Sequence, residues 1–350
     1  MNYEELRAQY DTGDYYTALI RFPDHVLTAL KQMESFNFNF KPKSVVICGM
    51  GGSAIPGHLL KDYCITKLNI PVVVESGYDL PNWVNKETLV ILISYSGNTE
   101  ETLSCLKQVI DKNLKTILIA SGGYLEKAAI KYSFPFIKAP GSFQPRAATP
   151  YLFTYVLEIM RKCGLLMPNY EQAVKELRSM DYRIEKKNDA KEIAEKLMNK
   201  YVYIHVPKHL ESIGIRYQAQ DFNENAKTLA KYSVIPEANH NELSAWSECQ
   251  TLPYTSILIW DNNMTEPIKK RMLFLESVLK GKSEITWIKS RCEDLLATIM
   301  TLVHTGDMIS YYLSLLRNKN PLPVNVVEEL KKFIETKTTT KTELIKSLGL

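Results

Sequence analysis

Two short segments rich in glycine and hydroxyls carry the first chemistry. Gly49-Met50-Gly51-Gly52-Ser53 follows the apolar run Ser44-Val45-Val46-Ile47-Cys48 and precedes a helical stretch. Glycines let the backbone approach an anion closely, and a helix start offers N–H groups to it. The same residues would also serve a tight strand-to-helix turn with no ligand. The run lacks the third glycine of the dinucleotide fingerprint, which disfavours a dinucleotide site. The second segment is Ser94-Tyr95-Ser96-Gly97-Asn98-Thr99-Glu100-Glu101-Thr102. Ser94, Ser96 and Thr99 can converge on one phosphate together with the N–H groups of the turn. No Lys or Arg lies in the loop, so the cradle would be neutral. An N-cap cluster is the competing reading, because Ser and Thr are favoured there too. Open α/β sheets bind ligands at the carboxyl ends of their strands, and this segment follows a strand, which favours the ligand reading.

Such loops need strands behind them and helices in front. Apolar, β-branched runs at 44–48, 70–74, 88–93 and 115–120 predict buried strands. Helical stretches at 58–64 and 100–111 lie between them. A second series follows: strands at 201–206, 255–260 and 284–288, with helices at 209–227, 266–279 and 292–316. Alternating strands and helices predict parallel sheets covered on both faces, in two tandem α/β units. The first forty residues and 150–197 read as helical. At the other end, 319–323 breaks the last helix and 324–334 reads as a short one. The Thr/Lys-rich stretch 335–343 reads as an exposed linker, ahead of an apolar end at 344–350.

The hydroxyl loop resembles the phosphate loop of the sugar isomerase (SIS) domain. Three further segments resemble the bifunctional phosphoglucose/phosphomannose isomerases. They are Gln144-Pro145-Arg146-Ala147-Ala148, Asp221-Phe222-Asn223-Glu224-Asn225-Ala226-Lys227 and Glu237-Ala238-Asn239-His240-Asn241-Glu242. The resemblance runs from about residue 40 to 335. It implies two tandem SIS domains, each a flavodoxin-like, doubly wound parallel sheet, with helical extensions at both ends. The expected division is an N-terminal helical segment at 1–39, a first SIS domain at 40–160 and a helical connection at 161–197. A second SIS domain at 198–318 and a C-terminal helix and tail at 319–350 complete it.

The implied reaction moves a proton between C1 and C2 of an open-chain sugar 6-phosphate. It links glucose 6-phosphate and mannose 6-phosphate to fructose 6-phosphate through a cis-enediol(ate). The resemblance gives the proton transfer to Glu224, stabilisation of the enediolate to Arg146 and ring opening to His240. Lys331, with Lys332 beside it, matches the family's C-terminal lysine near the sugar oxygens. Gly52, Ser53, Ser94, Ser96 and Thr99 would hold the phosphate. By themselves, a lone Glu reads as a solvated helix face, a lone Arg as a salt bridge and a lone His as a surface residue. The family's ring-opening histidine reaches a partner subunit's site, which implies a homodimer. Asn320-Pro321-Leu322-Pro323 departs from the family's usual Asp-Pro-Thr-Pro. C2 is planar in the enediol, so both epimers reach one intermediate. No cofactor or metal is expected.

Composition narrows the alternatives. The chain has 350 residues, with 45% hydrophobic and 23% charged, which excludes a disordered or fibrous protein. Lys+Arg number 43 and Asp+Glu 39, so 43 − 39 gives a net charge of +4. That small excess does not point to nucleic acid. No apolar run approaches the roughly 20 residues of a membrane span, and the acidic start is no secretory signal. A cytoplasmic protein is expected. The six cysteines form no CxxC pair and no zinc spacing. Pro207 interrupts the helix between His205 and His209, which read as structural. The competing functions are a non-catalytic SIS-type sugar-phosphate sensor and an aminosugar-phosphate isomerase.

Overall fold

The computed structural model describes residues 2–248 and 254–350. It opens with helices α1 (Tyr3–Tyr10), α2 (Tyr15–Ile20) and α3 (Phe22–Met33). Then come β1 (Ser44–Cys48), α4 (Ile55–Cys64), β2 (Val72–Glu75), β3 (Thr88–Ile93), α5 (Glu100–Lys112), β4 (Lys115–Ala120), α6 (Gly123–Tyr132) and β5 (Phe136–Lys138). Three helices follow, α7 (Thr149–Lys162), α8 (Tyr170–Ser179) and α9 (Asp189–Lys196). The second series is β6 (Tyr201–Pro207), α10 (Glu211–Arg216), a π-helix at Tyr217–Asn225, β7 (Ala230–Ile235) and α11 (Ala238–Glu248). It continues with β8 (Tyr254–Trp260), α12 (Glu266–Leu279), β9 (Glu284–Lys289) and α13 (Leu295–Leu316). The chain ends in α14 (Asn325–Lys337) and α15 (Thr340–Ser347).

One compact unit comprises Asp24–Pro168 and Pro323–Leu350. Its five parallel strands lie in the order β2-β1-β3-β4-β5, the flavodoxin-like arrangement. β1 and β3 are buried along their whole length, which explains their unbroken apolar runs. α5 forms because its sequence caps itself. Glu100 and Glu101 oppose the dipole at its start, and Asn113 adopts φ 50° at its end. Its Leu103 and Leu106 are fully buried, each contributing about 2 kcal/mol of apolar burial. α15 packs against α5. Leu348 is 2% exposed, and its carbonyl accepts from Lys131 Nζ at 3.0 Å and from Tyr132 Oη at 2.8 Å. The apolar end of the chain is therefore docked, and the stretch read as a linker is mostly helical.

The other unit comprises residues through Pro23 and Asn169–Leu322. Its sheet runs β7-β6-β8-β9, all parallel. That is the same order as the first sheet without a fifth strand. α13 is buried from Leu296 to Leu316, so it is apolar on every side. α1, α2, α8, α9 and the π-helix pack around it.

Several elements differ from the sequence-based expectation. The helical region 150–197 is three helices, broken at Gly164 with φ 71° and by the irregular stretch 180–188. The helix expected over 209–227 begins as a 3-10 turn at Lys208–Leu210, is α-helical to Arg216 and is π-helical to Asn225. The strands β5 and β7 and the helices α6 and α11 were not foreseen. β7 leaves Lys231 exposed and Tyr232 and Val234 half-buried at the sheet edge, so it lacks the apolar run that marked its neighbours.

Candidate functional site

The two glycine- and hydroxyl-rich segments adjoin each other at the carboxyl ends of β1 and β3. Gly51–Ser53 forms a 3-10 turn entering α4, with Gly51 at φ 51°. Ser53 is buried, and its Oγ accepts from Tyr95 N at 3.0 Å. In the second loop Ser94 is fully buried. Its Oγ lies 2.8 Å from Thr99 Oγ1 and accepts weakly from Thr99 N at 3.4 Å. Ser96 is exposed, and its Oγ accepts from Asn98 N at 3.2 Å. Thr99 precedes α5 without a side-chain cap bond. The hydroxyls of Ser94 and Thr99 are thus paired with each other at a helix start, where an anion would meet free N–H groups.

A neighbouring turn clasps this loop. Gly97 has φ 72°, and a Cβ there would fall 1.8 Å from Gly122 O. Asn98 Oδ1 accepts from Tyr124 N at 3.1 Å, and Gly97 O accepts from Leu125 N at 3.1 Å. Only glycine fits so close a backbone approach.

Arg146 joins the same assembly. It lies in a 3-10 turn, Pro145–Ala148, at the entrance to α7 and is 2% exposed. A Cβ on Gly52 would sit 3.1 Å from Pro145 Cβ and 3.2 Å from Arg146 N. The Gly51–Ser53 turn therefore lies against the arginine's backbone. Sequence reasoning missed Tyr95, which fixes that approach. Its hydroxyl donates to Pro140 O and accepts from Phe143 N at 2.9 Å. Burial pushes this phenol up, opposed by the Phe143 N–H. The tyrosine within Ser-Tyr-Ser was the only signal, and nothing in the chain marked its partner. Lys331 does not join this cluster. α14 buries none of its residues, and Lys331 pairs with Glu328 at 2.6 Å on that helix.

In the other unit Glu224 is half-buried near the end of the π-helix. Lys227 Nζ donates to Glu224 O, and Lys227 itself takes φ 53°. Asn223 Oδ1 accepts from Ala230 N at 2.9 Å, tying the π-helix to β7. His240 is exposed on α11, where its N–H donates to Glu237 O at 2.9 Å. A helix rather than a loop carries it. Two of the remaining five histidines, His205 and His209, were read as structural. His205 is buried on β6, with Nδ1 3.1 Å from Ser233 Oγ, and burial lowers it to about 3. His209 Nε2 lies 3.1 Å from Asp261 Oδ1.

Sequence reasoning also missed a buried ionic cluster beside Glu224. The Arg216 guanidinium is fully buried and pairs with Asp307 and with Asp221, whose Oδ1 is 3.2 Å from Nε. Burial pushes the Asp221 carboxyl well up, against the pull of Arg216 and helped by Asp307. Among the described residues no group of three or more His, Cys, Asp or Glu could hold a metal ion. No helix among them is long and apolar enough to cross a membrane.

Comparison with known proteins decides the family. Residues 40–128 match the SIS domain, and residues 186–334 match the bacterial phospho-glucose isomerase C-terminal SIS domain. A bifunctional phosphoglucose/phosphomannose isomerase of Caldicellulosiruptor bescii is 35% identical, over 90% of this chain and 97% of the relative. The chain belongs to the bifunctional phosphoglucose/phosphomannose isomerase family. A Thermoplasma acidophilum protein of that name is 33% identical over 88% of this chain and 96% of its own. A D-glucosamine-6-phosphate 4-epimerase of Sulfolobus acidocaldarius is 33% identical, but over 64% of this chain and 71% of its own. Among solved structures, the C-terminal domain of glucosamine-fructose-6-phosphate aminotransferase from Francisella tularensis superposes with TM-score 0.69. It is 15% identical and covers 91% of this chain and 99% of its own, a likeness of fold. The chain is thus an isomerase built from two SIS domains.

Proposed function

We propose that this chain interconverts glucose 6-phosphate and mannose 6-phosphate with fructose 6-phosphate. Ser53, Ser94, Ser96, Thr99 and the backbone at Gly52 hold the phosphate with neutral donors. Glu224 removes the proton from C2 of the aldose, or C1 of the ketose, and returns it to the neighbouring carbon. A carboxylate suits that shuttle, because it can hold one proton between two adjacent carbons. Arg146 supplies a fixed cation where the enediolate oxygen gains charge. In a site that excludes water, such a cation needs no reorganisation during the reaction. His240 delivers the proton that opens the sugar ring, as an imidazole titrating near neutrality can. Lys331 would have to leave its pair with Glu328 on the exposed α14 to assist near the sugar oxygens.

The observation that carries the reading is the near full-length match to relatives bearing this dual name. The paired Ser94 and Thr99 hydroxyls and the buried Arg146 beside Gly52 supply chemistry that fits it. The test is an NMR time course on fructose 6-phosphate in heavy water. Both aldose epimers should form, with deuterium entering at the transferred position. Glu224→Gln should stop exchange while phosphate binding persists, and a variant with normal turnover would sink the assignment. Ligand stabilisation without deuterium uptake would instead mark a sensor.

A second reading follows from the Sulfolobus relative, whose name places its chemistry at C4 of an aminosugar phosphate. Glucosamine 6-phosphate in the same experiment discriminates, since inversion at C4 replaces exchange at C1 and C2.

A second copy of the chain completes the site in this proposal by supplying His240. The exposure of His240, and of Val326, Leu330 and Phe333 on α14, supports an arrangement with a partner chain. Mixing Glu224→Gln and His240→Ala chains tests it. Mixed dimers should regain activity that neither variant has alone, and no recovery in a verified mixture would refute the shared site.

A further inference from the structure

The segment that carries Glu224 is wound in an unusual register. Tyr217–Asn225 is a π-helix, and Ala226 N donates to Asp221 O at 3.0 Å across five residues. π-turns are rare and concentrate at functional sites. Arg216 and Asp221 are also five residues apart. On an α-helix that spacing would turn the two side chains about 140° from each other. The wider π-turn brings them onto one face, with Arg216 Nε 3.2 Å from Asp221 Oδ1. Arg216 also donates to Gln220 Oε1 and pairs with Asp307 of α13.

α13 is shaped to receive this register. A Cβ on Gly306 would fall 2.2 Å from Tyr217 Cε1 and 2.4 Å from Asp221 Oδ2. The glycine lets the wide turn sit against α13 without collision. Tyr217 Oη donates to Leu302 O at 2.7 Å. One turn later, Asn225 Nδ2 donates to Ser310 Oγ at 3.1 Å, and Asn225 Oδ1 accepts from Tyr15 Oη at 3.2 Å. The segment is thus fastened to α13 on both sides of Glu224, at Asp221 and at Asn225.

We propose that Arg216, Asp221 and Asp307 are positioning residues that select the π-register and thereby aim the Glu224 carboxylate. This rests on the reading of Glu224 as the base. Relaxation to α-register would rotate Glu224 relative to Asp221 and move its carboxylate away from the reacting carbons. Glu224 would still be present and the phosphate loops untouched. A misplacement of about 1 Å can cost on the order of 100-fold in rate. The cluster sets one guanidinium against two carboxyls, and burial pushes the Asp221 carboxyl well up, toward its neutral form.

That arrangement makes Asp221→Leu an informative variant, because it leaves Arg216 paired with Asp307 and strands no charge. Turnover and KM for fructose 6-phosphate are measured for Asp221→Leu, Asp221→Asn and Glu224→Gln. Folding is checked by tryptophan fluorescence. The expected result is a fall in kcat of roughly 30- to 100-fold for Asp221→Leu with KM held within about threefold, the signature of a lost transition-state contact. Asp221→Asn, which keeps the shape and a hydrogen-bonding group, should restore most of kcat. Arg216→Lys keeps the charge but cannot reach Asp221, Asp307 and Gln220 together. It should show the same split, and stands in should Asp221→Leu not fold. Folded variants with parental kcat, while Glu224→Gln is inactive, overturn the positioning role alone. An active Glu224→Gln overturns both it and the assignment of the base.

Discussion

Acid should weaken the second unit along a slope that its buried groups set, and one substitution should change that slope. His205 and His304 are buried and held down to about 3 from an ordinary value of 6.5. Both stay neutral in the fold, whereas in the unfolded chain they take up protons below pH 6.5. Stability that is whole above pH 6.5 is therefore lost as pH falls toward 3. Each histidine costs about 1.4 kcal/mol per pH unit in that window. Asp221 acts in the opposite sense. Its folded carboxyl is raised, so the fold keeps a proton that the unfolded chain releases above about pH 4. The two histidines together outweigh the single aspartate, so stability falls as the pH drops between roughly 6 and 4.5. All three groups belong to one unit, as do Trp246, Trp260 and Trp287. Urea titrations followed by tryptophan fluorescence at several pH values therefore read its unfolding in a Trp83→Phe background, which removes the tryptophan of the other unit. His205→Phe should flatten the slope by about 1.4 kcal/mol per pH unit. Losing the Ser233 contact would lower the whole curve by about 1 kcal/mol without altering its tilt. Asp221→Leu should steepen the slope, because the opposing contribution is removed. A parental curve that is flat between pH 6 and 4.5, or a slope untouched by His205→Phe, would refute the reasoning.

Gly97→Ala must place a side chain at φ 72° and against Gly122 O. The backbone term alone costs about 1–2 kcal/mol, and a raised KM with weakened inorganic phosphate binding should accompany the lower melting temperature. Tyr95→Phe removes the hydroxyl that joins Pro140 O and Phe143 N. A loss of about 1–3 kcal/mol is expected in denaturant titrations, together with a lower kcat through the approach to Arg146. Leu348→Ala should cost the first unit about 2–3 kcal/mol by calorimetry, because Leu348 is 2% exposed against it. Its turnover at 25 °C should be unchanged.

The strands of both sheets were legible wherever burial on two faces demanded unbroken apolar runs, as at β1, β3 and β8. The two glycine- and hydroxyl-rich loops were legible because only glycine and short hydroxyl residues suit such turns. β7 escaped notice because an edge strand mixes Lys231, Tyr232 and Ser233 with its apolar residues. The register of Tyr217–Asn225 escaped because α- and π-turns draw on the same residue types. Glu224, Arg146 and His240 stood out as candidates only through the resemblance, since one Glu, Arg or His carries no pattern of its own.

The amino-acid sequence by itself determined the alternation of strand and helix, the two loops and the family. These follow from local composition and from motifs read in order. Only the tertiary structure decided which groups meet across long separations. It brought Gly52 against Pro145 and Arg146, Tyr95 against Pro140, and Arg216 against Asp307. It also docked Leu348 beside Lys131 and Tyr132 and wound the Glu224 segment wide enough for Gly306 to receive it. Such pairings depend on packing a whole unit at once. A buried charge or a glycine at a close approach gains its meaning from the partner that the fold sets opposite it.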